Sequence, residues 1–250
     1  MPSPGAAAPT VLITGSARRI GRAIALDLAR HGWQVCVHYR RSAEDAVRLV
    51  EEIRALGGIG AAIAGDLASE ADVEQLIPAC RAALGAPVCL INNASEFLLD
   101  TVETVTPATW DTHLDINLKV PVFLARALFL NLPDGAQGNV INIIDQRVWK
   151  LTPDFFSYTI SKAGLWTATR TLAQALAPRV RVNAIGPGPV LKSIHQTEAE
   201  FAREAQSTLL GRGPTPEEIA TAARFILASP SLTGQMIALD GGQHLTWGEG

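Results

Sequence analysis

Three side chains of the sequence could together handle a proton. Tyr158 and Lys162 lie four residues apart, and Asp145 lies thirteen residues before Tyr158, directly after the apolar segment 140–144. On a helix, residues at i and i+4 share one face, with Cβ atoms roughly 5–6 Å apart. A lysine ammonium beside a phenol stabilises the phenolate, so this spacing predicts a Tyr158 pKa below the usual value of about 10. With Asp145 at the end of a predicted strand, the group is predicted to donate a proton at neutral pH.

The elements that must hold these side chains alternate between short apolar segments and longer helical patterns. Predicted strands span residues 10–14, 34–39, 59–64, 88–92, 138–144, 180–185 and 236–239, and predicted helices span residues 20–31, 43–56, 70–84, 107–131, 155–176 and 216–228. Strands that are apolar along their whole length are typical of a sheet buried on both faces. The alternation predicts one α/β domain, residues 10–250, with a doubly wound Rossmann fold: a seven-stranded parallel sheet flanked by helices.

Two segments do not follow the alternation. Residues 1–9 have no basic start and no long apolar stretch, and they predict a flexible N-terminal tail. Residues 188–210 are irregular, because the Gly-Pro-Gly-Pro sequence at 186–189 is expected to end the preceding strand. A short amphipathic helix is predicted at 198–204. The segment is interpreted either as a substrate lid at the carboxyl edge of the sheet or as an ordinary crossover.

Composition limits the classes of protein that fit. The chain has 250 residues, 48% of them hydrophobic, and a net charge of −3, so no basic face for nucleic acid or an anionic membrane is expected. No apolar stretch approaches the roughly 18 residues that a membrane span needs. Cys36, Cys80 and Cys89 have no CxxC spacing and the histidines are dispersed, so no metal site is expected. A cytoplasmic enzyme with buried thiols is predicted.

Four residues are placed to begin helices. Ser42, Ser69, Thr106 and Thr215 each precede a helical pattern, and the two threonines are followed directly by proline. Such residues accept hydrogen bonds from free N–H groups in the first helical turn. All four are predicted N-caps.

A glycine-containing turn joins the first strand to the first helix. Gly15 is expected to allow the sharp turn, and Gly21 is expected to let helix and sheet pack closely with the helix N-terminus aimed at a pyrophosphate. Arg18, Arg19 and Ile20 lie between them. Arg19 is predicted to contact the pyrophosphate and to reach over the active site. In this strand–loop–helix context, a dinucleotide site is favoured over a purely structural turn.

The end of the second strand indicates which dinucleotide binds. An NAD site normally has an acidic residue here for the ribose 2′-hydroxyl, whereas this chain has Arg40, Arg41 and Ser42. Two guanidinium groups and a hydroxyl suit a 2′-phosphate, so NADPH is the predicted cofactor. Asp66 and Leu67 follow the third strand and are expected to border the adenine.

The residues resemble the short-chain dehydrogenase/reductase family over essentially the whole chain. The matching positions, in chain order, are Thr14, Gly15, Arg19, Gly21, Asp66, Asn92, Asn93, Ala94, Asn117, Tyr158, Lys162, Pro187, Gly188, Asp240, Gly241 and Gly242. The resemblance implies hydride transfer with Tyr158 as the acid, Lys162 binding the nicotinamide ribose and tuning Tyr158, and Asn117 supporting a proton-relay water. It also implies cofactor contacts at Asn93, Ala94, Ser95, Pro187 and Gly188, and a homotetramer.

One departure points to a subgroup. Asp145 stands where the family usually has serine, and an aspartate suits ring nitrogens better than a carbonyl oxygen. With Arg19 and Phe97, it makes the chain similar to pteridine reductases and dihydromonapterin reductases. That resemblance implies a pterin between the nicotinamide and Phe97, with polar contacts from Arg19, Ser95, Asp145 and Tyr158.

The predicted function is therefore NADPH-dependent reduction of a dihydropterin, such as dihydromonapterin or dihydrobiopterin, with dihydrofolate as a further candidate. Two alternatives stay open. One is a carbonyl or 3-oxoacyl reductase, with Asp145 as an isolated replacement or as a structural partner of Arg147 or Lys150. The other is a non-catalytic dinucleotide sensor, which would have no chemical need for Asn117, Tyr158 and Lys162.

Overall fold

A computed structural model describes residues 8–247, and it contains one seven-stranded sheet in which every neighbouring pair is parallel. The strands are β1 (Thr10–Ile13), β2 (Gln34–Tyr39), β3 (Ile59–Ala64), β4 (Pro87–Asn92), β5 (Gly138–Ile143), β6 (Val180–Pro187) and β7 (Met236–Leu239). Their order across the sheet is β3-β2-β1-β4-β5-β6-β7. The predicted doubly wound α/β fold is confirmed.

Helices cover both faces of the sheet. They are α1 (Arg19–Arg30), α2 (Ala43–Ala55), α3 (Glu70–Leu84), α4 (Pro107–Leu114), α5 (Val120–Asn131), α6 (Phe156–Leu176), α7 (Glu198–Gln206) and α8 (Pro216–Ala228). The apolar sides of α1, α2 and α8 form one core with the sheet, and those of α3, α5 and α6 form the other. Because both faces are covered, the central strands are apolar along their whole length, as predicted.

The strand order places the functional segments side by side. The chain runs outward from β1 in one direction through β2 and β3, and in the other direction from β4 to β7. A crevice opens at such a reversal, outside the carboxyl ends of the strands. The segments that follow β1, β4, β5 and β6 all begin at this edge. They carry Gly15, Asn93, Asp145 and Gly188 respectively.

The prediction that the chain leaves the sheet before residue 186 was wrong. β6 continues through Gly186 and Pro187, which pair with Ala238 and Leu239 of β7. Pairing of β6 with β5 has already ended at Ile185, so Pro187 has only one neighbouring strand there. A proline without an N–H group is tolerated at such a one-sided position. The extension carries the chain to the mouth of the crevice.

The helix predicted over 107–131 is not continuous. A π-helical turn at Asp115–Lys119 separates α4 from α5, and the N–H of Val120 donates to the carbonyl of Asp115, five residues back. Pro121 explains the interruption, because a proline ring clashes with the carbonyl four residues earlier in an α-helix. That carbonyl belongs to Asn117. The wide turn relieves the clash and leaves Asn117 buried beside the crevice.

Three of the four predicted N-caps are confirmed. The side chains of Ser69, Thr106 and Thr215 each accept a hydrogen bond from a backbone N–H in the first turn, and the two threonines form capping boxes. The prediction for Ser42 was wrong, because its side chain makes no hydrogen bond to the first turn of α2. Its hydroxyl instead accepts a hydrogen bond from the Arg18 guanidinium. The competing donor comes from the loop after β1.

Of the predicted flexible tail 1–9, the structure describes only Ala8 and Pro9. Their carbonyl oxygens accept hydrogen bonds from the Gln34 side-chain amide and backbone N–H, at 2.9 Å each. These two residues are therefore tied to the start of β2. Within residues 8–247, no helix combines the length and apolar character that a membrane crossing requires.

Candidate active site

Asp145, Tyr158 and Lys162 come together below the crevice. The Tyr158 hydroxyl donates to Asp145 Oδ2 at 3.0 Å, and Asp145 Oδ1 accepts from the Arg147 backbone N–H at 2.8 Å. Lys162 Nζ lies 5.7 Å from the Tyr158 ring centroid and donates to the Ile143 carbonyl at 2.9 Å. The carboxyl of Asp145 therefore faces the phenol, and it forms no ion pair with Arg147 or Lys150 among the described residues.

The expected direction of the Tyr158 pKa was wrong for this arrangement. Burial raises the pKa of Tyr158 well above its usual value, and the charge and hydrogen bond of Asp145 raise it further. Burial also raises the pKa of Asp145, against the opposing effect of its hydrogen bonds and nearby cations. Burial lowers the pKa of Lys162 to about 8. The Lys162 ammonium bonds a backbone carbonyl instead of the phenol, so the nearest hydrogen-bond partner of the Tyr158 hydroxyl is the Asp145 carboxylate, which favours the protonated phenol.

Asn117 connects this group to the loop after β4. Its side-chain oxygen accepts from the Glu96 N–H at 2.9 Å and from the Ser95 hydroxyl at 3.1 Å. Its amide nitrogen donates to the Glu96 carbonyl at 2.9 Å and to the Ser161 hydroxyl at 3.1 Å. The side chain thus holds the loop that carries Ser95 and Phe97 against α6.

The glycine loop packs closely against the segment that follows β4. Gly15 has a φ of +60°, a conformation that favours glycine. A Cβ on Gly21 would lie 2.5 Å from the Asn93 amide nitrogen, which itself donates to the carbonyls of Thr14 and Gly15. Both glycines are thus required by backbone shape or by close packing. The N-terminus of α1 faces the crevice, where its free N–H groups suit an anion.

His38 supports the same loop and was missed by sequence reasoning. It lies on β2, where its Nδ1 accepts from the Gly15 N–H at 3.0 Å. Its Nε2 must then carry the proton, and it donates to the Gly65 carbonyl at 3.1 Å. Burial lowers the pKa of His38, which favours this neutral form. The signal in the sequence is only a histidine in an otherwise apolar strand.

The three residues predicted to bind the 2′-phosphate, Arg40, Arg41 and Ser42, line a cavity of about 490 Å³ beside the glycine loop. Arg18 lines the same cavity. Arg18 reaches Ser42 and pairs with Asp45 at 3.2 Å. The Arg40 guanidinium pairs with Glu96 at 2.9 Å.

Leu67 and Ala94 line the same cavity. Asp66 caps the next turn instead, where its carboxylate accepts from the Ala68 N–H at 3.0 Å and lies 4.0 Å from the Arg40 guanidinium. The carboxylate is therefore engaged by protein groups at the cavity's edge.

A second cavity, of about 630 Å³, adjoins the first and contains the candidate acids. The two share Arg19, Ile20, Asn93 and Ser95 in their walls, and Pro187 and Gly188 line only the second. Because of these shared walls, an extended dinucleotide can lie across both cavities with its reactive end beside Tyr158.

Two stacked phenylalanines, Phe97 and Phe155, form part of the wall of the second cavity. Phe97 packs edge-on against Tyr158, with centroids 4.7 Å apart, and stacks on Phe155 at 4.2 Å and 9°. Phe155 was missed by sequence reasoning. It directly precedes α6 and has a φ of +56°, a strained conformation for a bulky residue. Such strain concentrates at functional sites.

Arg19 spans the crevice. Its guanidinium donates to the carbonyls of Leu191 and Lys192 at 3.1 and 3.0 Å, in the segment that precedes α7. The residue has a φ of +56°, a left-handed backbone conformation that is uncommon for a residue other than glycine. The guanidinium thus reaches the segment that precedes α7, and its contact with the pyrophosphate stays a prediction. Helix α7 lies in the segment 188–210, where a short helix was predicted.

Comparison with known proteins agrees with this architecture. Residues 15–244 match the family model described as enoyl-(acyl carrier protein) reductase. The chain is 32% identical over 245 residues to a probable 2,4-dienoyl-CoA reductase of Bacillus subtilis, with 94% of this chain and 96% of that protein covered. It is 33% identical over 240 residues to a 3-oxoacyl-[acyl-carrier-protein] reductase of Synechocystis, at 94% and 96% coverage.

Solved structures are also similar. FolM alternative dihydrofolate reductase 1 of Brucella suis, crystallised in complex with NADP, is 48% identical, with a TM-score of 0.94 over 97% of this chain and 98% of that one. A short-chain dehydrogenase/reductase of Serratia marcescens is 27% identical, with a TM-score of 0.89 over 94% and 98%. The fold, the assembled tyrosine and lysine, and these matches show that the chain is an oxidoreductase belonging to the short-chain dehydrogenase/reductase family.

Proposed function

We propose that this enzyme uses NADPH to reduce a dihydropterin, with Tyr158 and Asp145 as the proton-donating pair. The observation that carries the proposal is the 3.0 Å hydrogen bond from the Tyr158 hydroxyl to Asp145 Oδ2. A carboxyl at this place can hold a proton or accept one from a ring N–H group, whereas a carbonyl substrate needs only a donor. The 48% identity to the FolM dihydrofolate reductase of Brucella suis supports the same choice.

Residues of the chain account for binding and orientation. Phe97 stacks on the pteridine ring with the face that Phe155 does not cover, since offset stacking stabilises such pairs. Ser95 and Arg19 line the same cavity and supply polar groups for the ring's amide and amidine edges. The segment that Arg19 holds through the Leu191 and Lys192 carbonyls covers the crevice and limits access of water.

The buried pair of Tyr158 and Asp145 supplies the proton that the reduction needs. Because burial raises the pKa of Asp145 and of Tyr158, the pair retains a proton near neutral pH and can deliver it to a ring nitrogen. Lys162, held by the Ile143 carbonyl, keeps a positive charge beside the phenol as the proton leaves. When bound, NADPH supplies the hydride to the adjacent ring carbon.

The cofactor is held by groups already in place. Gly15, Gly21 and the N-terminus of α1 receive the pyrophosphate, while Arg18, Arg41 and Ser42 receive the 2′-phosphate. Leu67 and Ala94 border the adenine. Lys162 and Asn93 adjoin the nicotinamide half, together with Pro187 and Gly188. Two solved relatives from Brucella were crystallised with NADP, which supports this assignment.

A substrate panel tests the function. Purified enzyme with NADPH is assayed against dihydromonapterin, dihydrobiopterin, dihydrofolate, a simple ketone and a 3-oxoacyl thioester, with loss of NADPH absorbance as the signal. We expect turnover of the pterins to exceed that of the carbonyl compounds in kcat/KM. Turnover of ketones without pterins would refute the substrate assignment.

A 3-oxoacyl reductase is the second candidate. It is favoured by the 33% identity to the Synechocystis enzyme and 30% identity to a Staphylococcus aureus 3-oxoacyl-[acyl-carrier-protein] reductase. The same panel separates the two, because a 3-oxoacyl reductase would turn over the thioester and leave pterins unchanged.

Cofactor choice depends on Arg41. Its side chain is exposed at the end of β2, and it makes no ion pair among the described residues, so it is free to meet a 2′-phosphate. Since a hydrogen bond to a charged group contributes about 1.5–3 kcal/mol, Arg41→Ala should weaken NADPH binding by roughly tenfold to a hundredfold. NADH binding should hardly change.

Fluorescence titration of both cofactors measures the effect of Arg41→Ala. Arg54→Ala is the matched control, because Arg54 is equally exposed but lies in the last turn of α2. Equal losses for NADPH and NADH would contradict the 2′-phosphate role.

The activity of the enzyme should fall as the pH becomes alkaline. Reduction needs the Tyr158–Asp145 pair in its protonated form and Lys162 charged, and burial lowers the pKa of Lys162 to about 8. The value of kcat/KM is therefore expected to be flat at lower pH and to fall as pH rises through the alkaline range. A profile of kcat/KM against pH, measured with saturating NADPH, checks this. A rate that increases with pH would contradict the role of the pair as a donor.

We also propose that the enzyme is a cytoplasmic homotetramer. Phe123 and Leu130 on α5 and Ile160 on α6 are exposed apolar side chains on the helices that flank the active site. Burial of such a face against a second copy would be favourable. The three cysteines are buried and unpaired, which suits a reducing compartment. Sedimentation velocity measures the assembly.

A further inference from the structure

A buried polar chain lies behind the active site and has no part in the chemistry described above. Asp100 follows the loop after β4, His113 lies on α4, and Ser157 lies in the first turn of α6. Their exposed fractions are 1%, 0% and 0%. Burial of a carboxylate and an imidazole is costly unless each is hydrogen-bonded, so the purpose of this chain needs an explanation.

The hydrogen bonds that join Asp100, Ser157 and His113 each have a defined donor and acceptor. The Leu98 N–H donates to His113 Nε2 at 3.0 Å, so this nitrogen carries no proton. In the neutral ring, Nδ1 is then protonated and donates to Ser157 Oγ at 2.6 Å. Ser157 Oγ donates in turn to Asp100 Oδ2, and the Ser157 N–H donates to Asp100 Oδ1 at 3.1 Å.

His113 is held in its neutral form. Burial lowers its pKa, against the opposing charges of Asp100 and Glu96, while the Lys162 charge lowers it further. A second proton on the His113 ring would lie on Nε2. It would point at the Leu98 N–H, so two donors would face each other and the hydrogen bond would be lost. The one tautomer that satisfies every partner is therefore the stable one.

The three hydrogen-bonded side chains connect the loop that carries Phe97 to the helix that carries Tyr158. Leu98 is the neighbour of Phe97, and Ser157 is the neighbour of Tyr158. The His113 ring also packs edge-on against Tyr158, with centroids 5.9 Å apart. The bond of Phe156 N–H to the Asp100 carbonyl, at 3.1 Å, adds a second link between the loop and α6. Phe97 and Tyr158 are thereby held 4.7 Å apart.

Hydrolytic chemistry does not explain the three residues. A serine nucleophile must give its proton to histidine, but Ser157 Oγ donates to Asp100, and the imidazole donates to the serine. Ser157 is also fully buried, with no access for a substrate.

We infer that His113, Ser157 and Asp100 are positioning residues that set the placement of Phe97 relative to Tyr158, and so align a flat substrate ring with its proton donor. The inference rests on the proposed pterin reduction for its kinetic consequence only. The placement of the loop itself can be measured without any substrate.

The sharpest test compares two replacements of His113. His113→Gln can return an acceptor near the position of Nε2 and so keep the bond from the Leu98 N–H, although it loses the Nδ1 donor to Ser157. His113→Asn reaches only the position of Nδ1, which leaves that N–H without a partner. Ser157→Ala removes the link to Asp100, and Thr159→Val is its control, because the buried Thr159 hydroxyl makes no hydrogen bond within residues 8–247.

Three quantities are measured for each variant: hydrogen–deuterium exchange of the peptide that contains residues 95–100, NADPH affinity by fluorescence, and KM and kcat for a dihydropterin. We expect His113→Asn and Ser157→Ala to speed the exchange and to raise KM about tenfold or more, since a displacement near 1 Å can cost about a hundredfold. His113→Gln should keep the exchange at 95–100 closer to that of the wild type than His113→Asn does, because it keeps the partner of the Leu98 N–H. Thr159→Val should resemble the wild type, and NADPH affinity should stay constant throughout.

The inference is overturned if exchange at 95–100 is unchanged in His113→Asn and Ser157→Ala, or if NADPH affinity falls together with substrate affinity. It is also overturned if His113→Gln behaves like His113→Asn. Failure of the proposed function is distinguishable, because the wild type would then reduce no pterin while the exchange measurement would still decide whether the chain holds the loop.

Discussion

Replacement of Tyr158 by phenylalanine is expected to lower kcat for pterin reduction by about 10²–10⁴-fold, the usual contribution of a positioned proton donor. The change removes one oxygen and leaves the ring that packs against Phe97 at 4.7 Å. It also leaves Asp145 Oδ2 without its hydrogen bond from the phenol. Steady-state kinetics with saturating NADPH measure the effect.

Tyr39→Phe is the control for this variant. Tyr39 is the other tyrosine of the chain and lies at the end of β2, beside the cofactor cavity. It should retain the wild-type kcat. If Tyr158→Phe kept a kcat near that of the wild type, Asp145 alone would be the proton donor and the paired role would be refuted.

The second large effect is expected from Asp145→Ser, which restores the residue usual in the family. Loss of the carboxyl should reduce kcat/KM for pterins by roughly 10²–10³-fold, because a serine hydroxyl cannot serve a ring nitrogen as a buried acid does. Cofactor affinity should stay nearly constant, since within residues 8–247 the Asp145 carboxylate accepts hydrogen bonds only from the Arg147 N–H and the Tyr158 hydroxyl.

Asp154→Ser serves as the charge-matched control for Asp145→Ser. Asp154 lines the same cavity but is exposed, and the Tyr158 hydroxyl donates to Asp145 and not to Asp154. Kinetics with pterin and fluorescence titration with NADPH are compared for the two variants. An equal loss of NADPH affinity in Asp145→Ser would show that the carboxyl only supports the local fold.

Features that depend on nearby residues could be predicted from the sequence. Thr106 and Thr215 begin helices through bonds that span three residues, and the buried strands are recognised by their own apolar side chains. Most strand and helix ends therefore agree with the predicted ones to within one or two residues. Asp145 and Tyr158 could be placed together because strand ends meet at one edge of a parallel sheet.

Features that depend on distant partners could not be predicted. Ser42 does not cap α2 because its hydroxyl binds the guanidinium of Arg18, which lies 24 positions earlier. Arg40 pairs with Glu96, a residue of another loop. His38 could be recognised as a support for Gly15 only after β2 was seen beside β1.

The pKa of Tyr158 illustrates the same limit at the centre of the site. The spacing of Tyr158 and Lys162 correctly places both on one face of α6, but spacing does not reveal what the ammonium bonds. Lys162 donates to the Ile143 carbonyl on β5, and the phenol donates to Asp145. Burial and the neighbouring carboxyl then determine the direction of the pKa, and both depend on the tertiary structure.

The π-helical turn at Asp115–Lys119 constrains the number of residues in this part of the chain more tightly than their identity. Each residue of a helix advances its side chains by about 100°. Deleting one residue here would convert the wide turn to a regular one and rotate Asn117 out of phase with either α4 or α5. Single-residue gaps between Pro107 and Asn131 should therefore be rare among functional relatives, whereas substitutions on the solvent side of the same segment should be common.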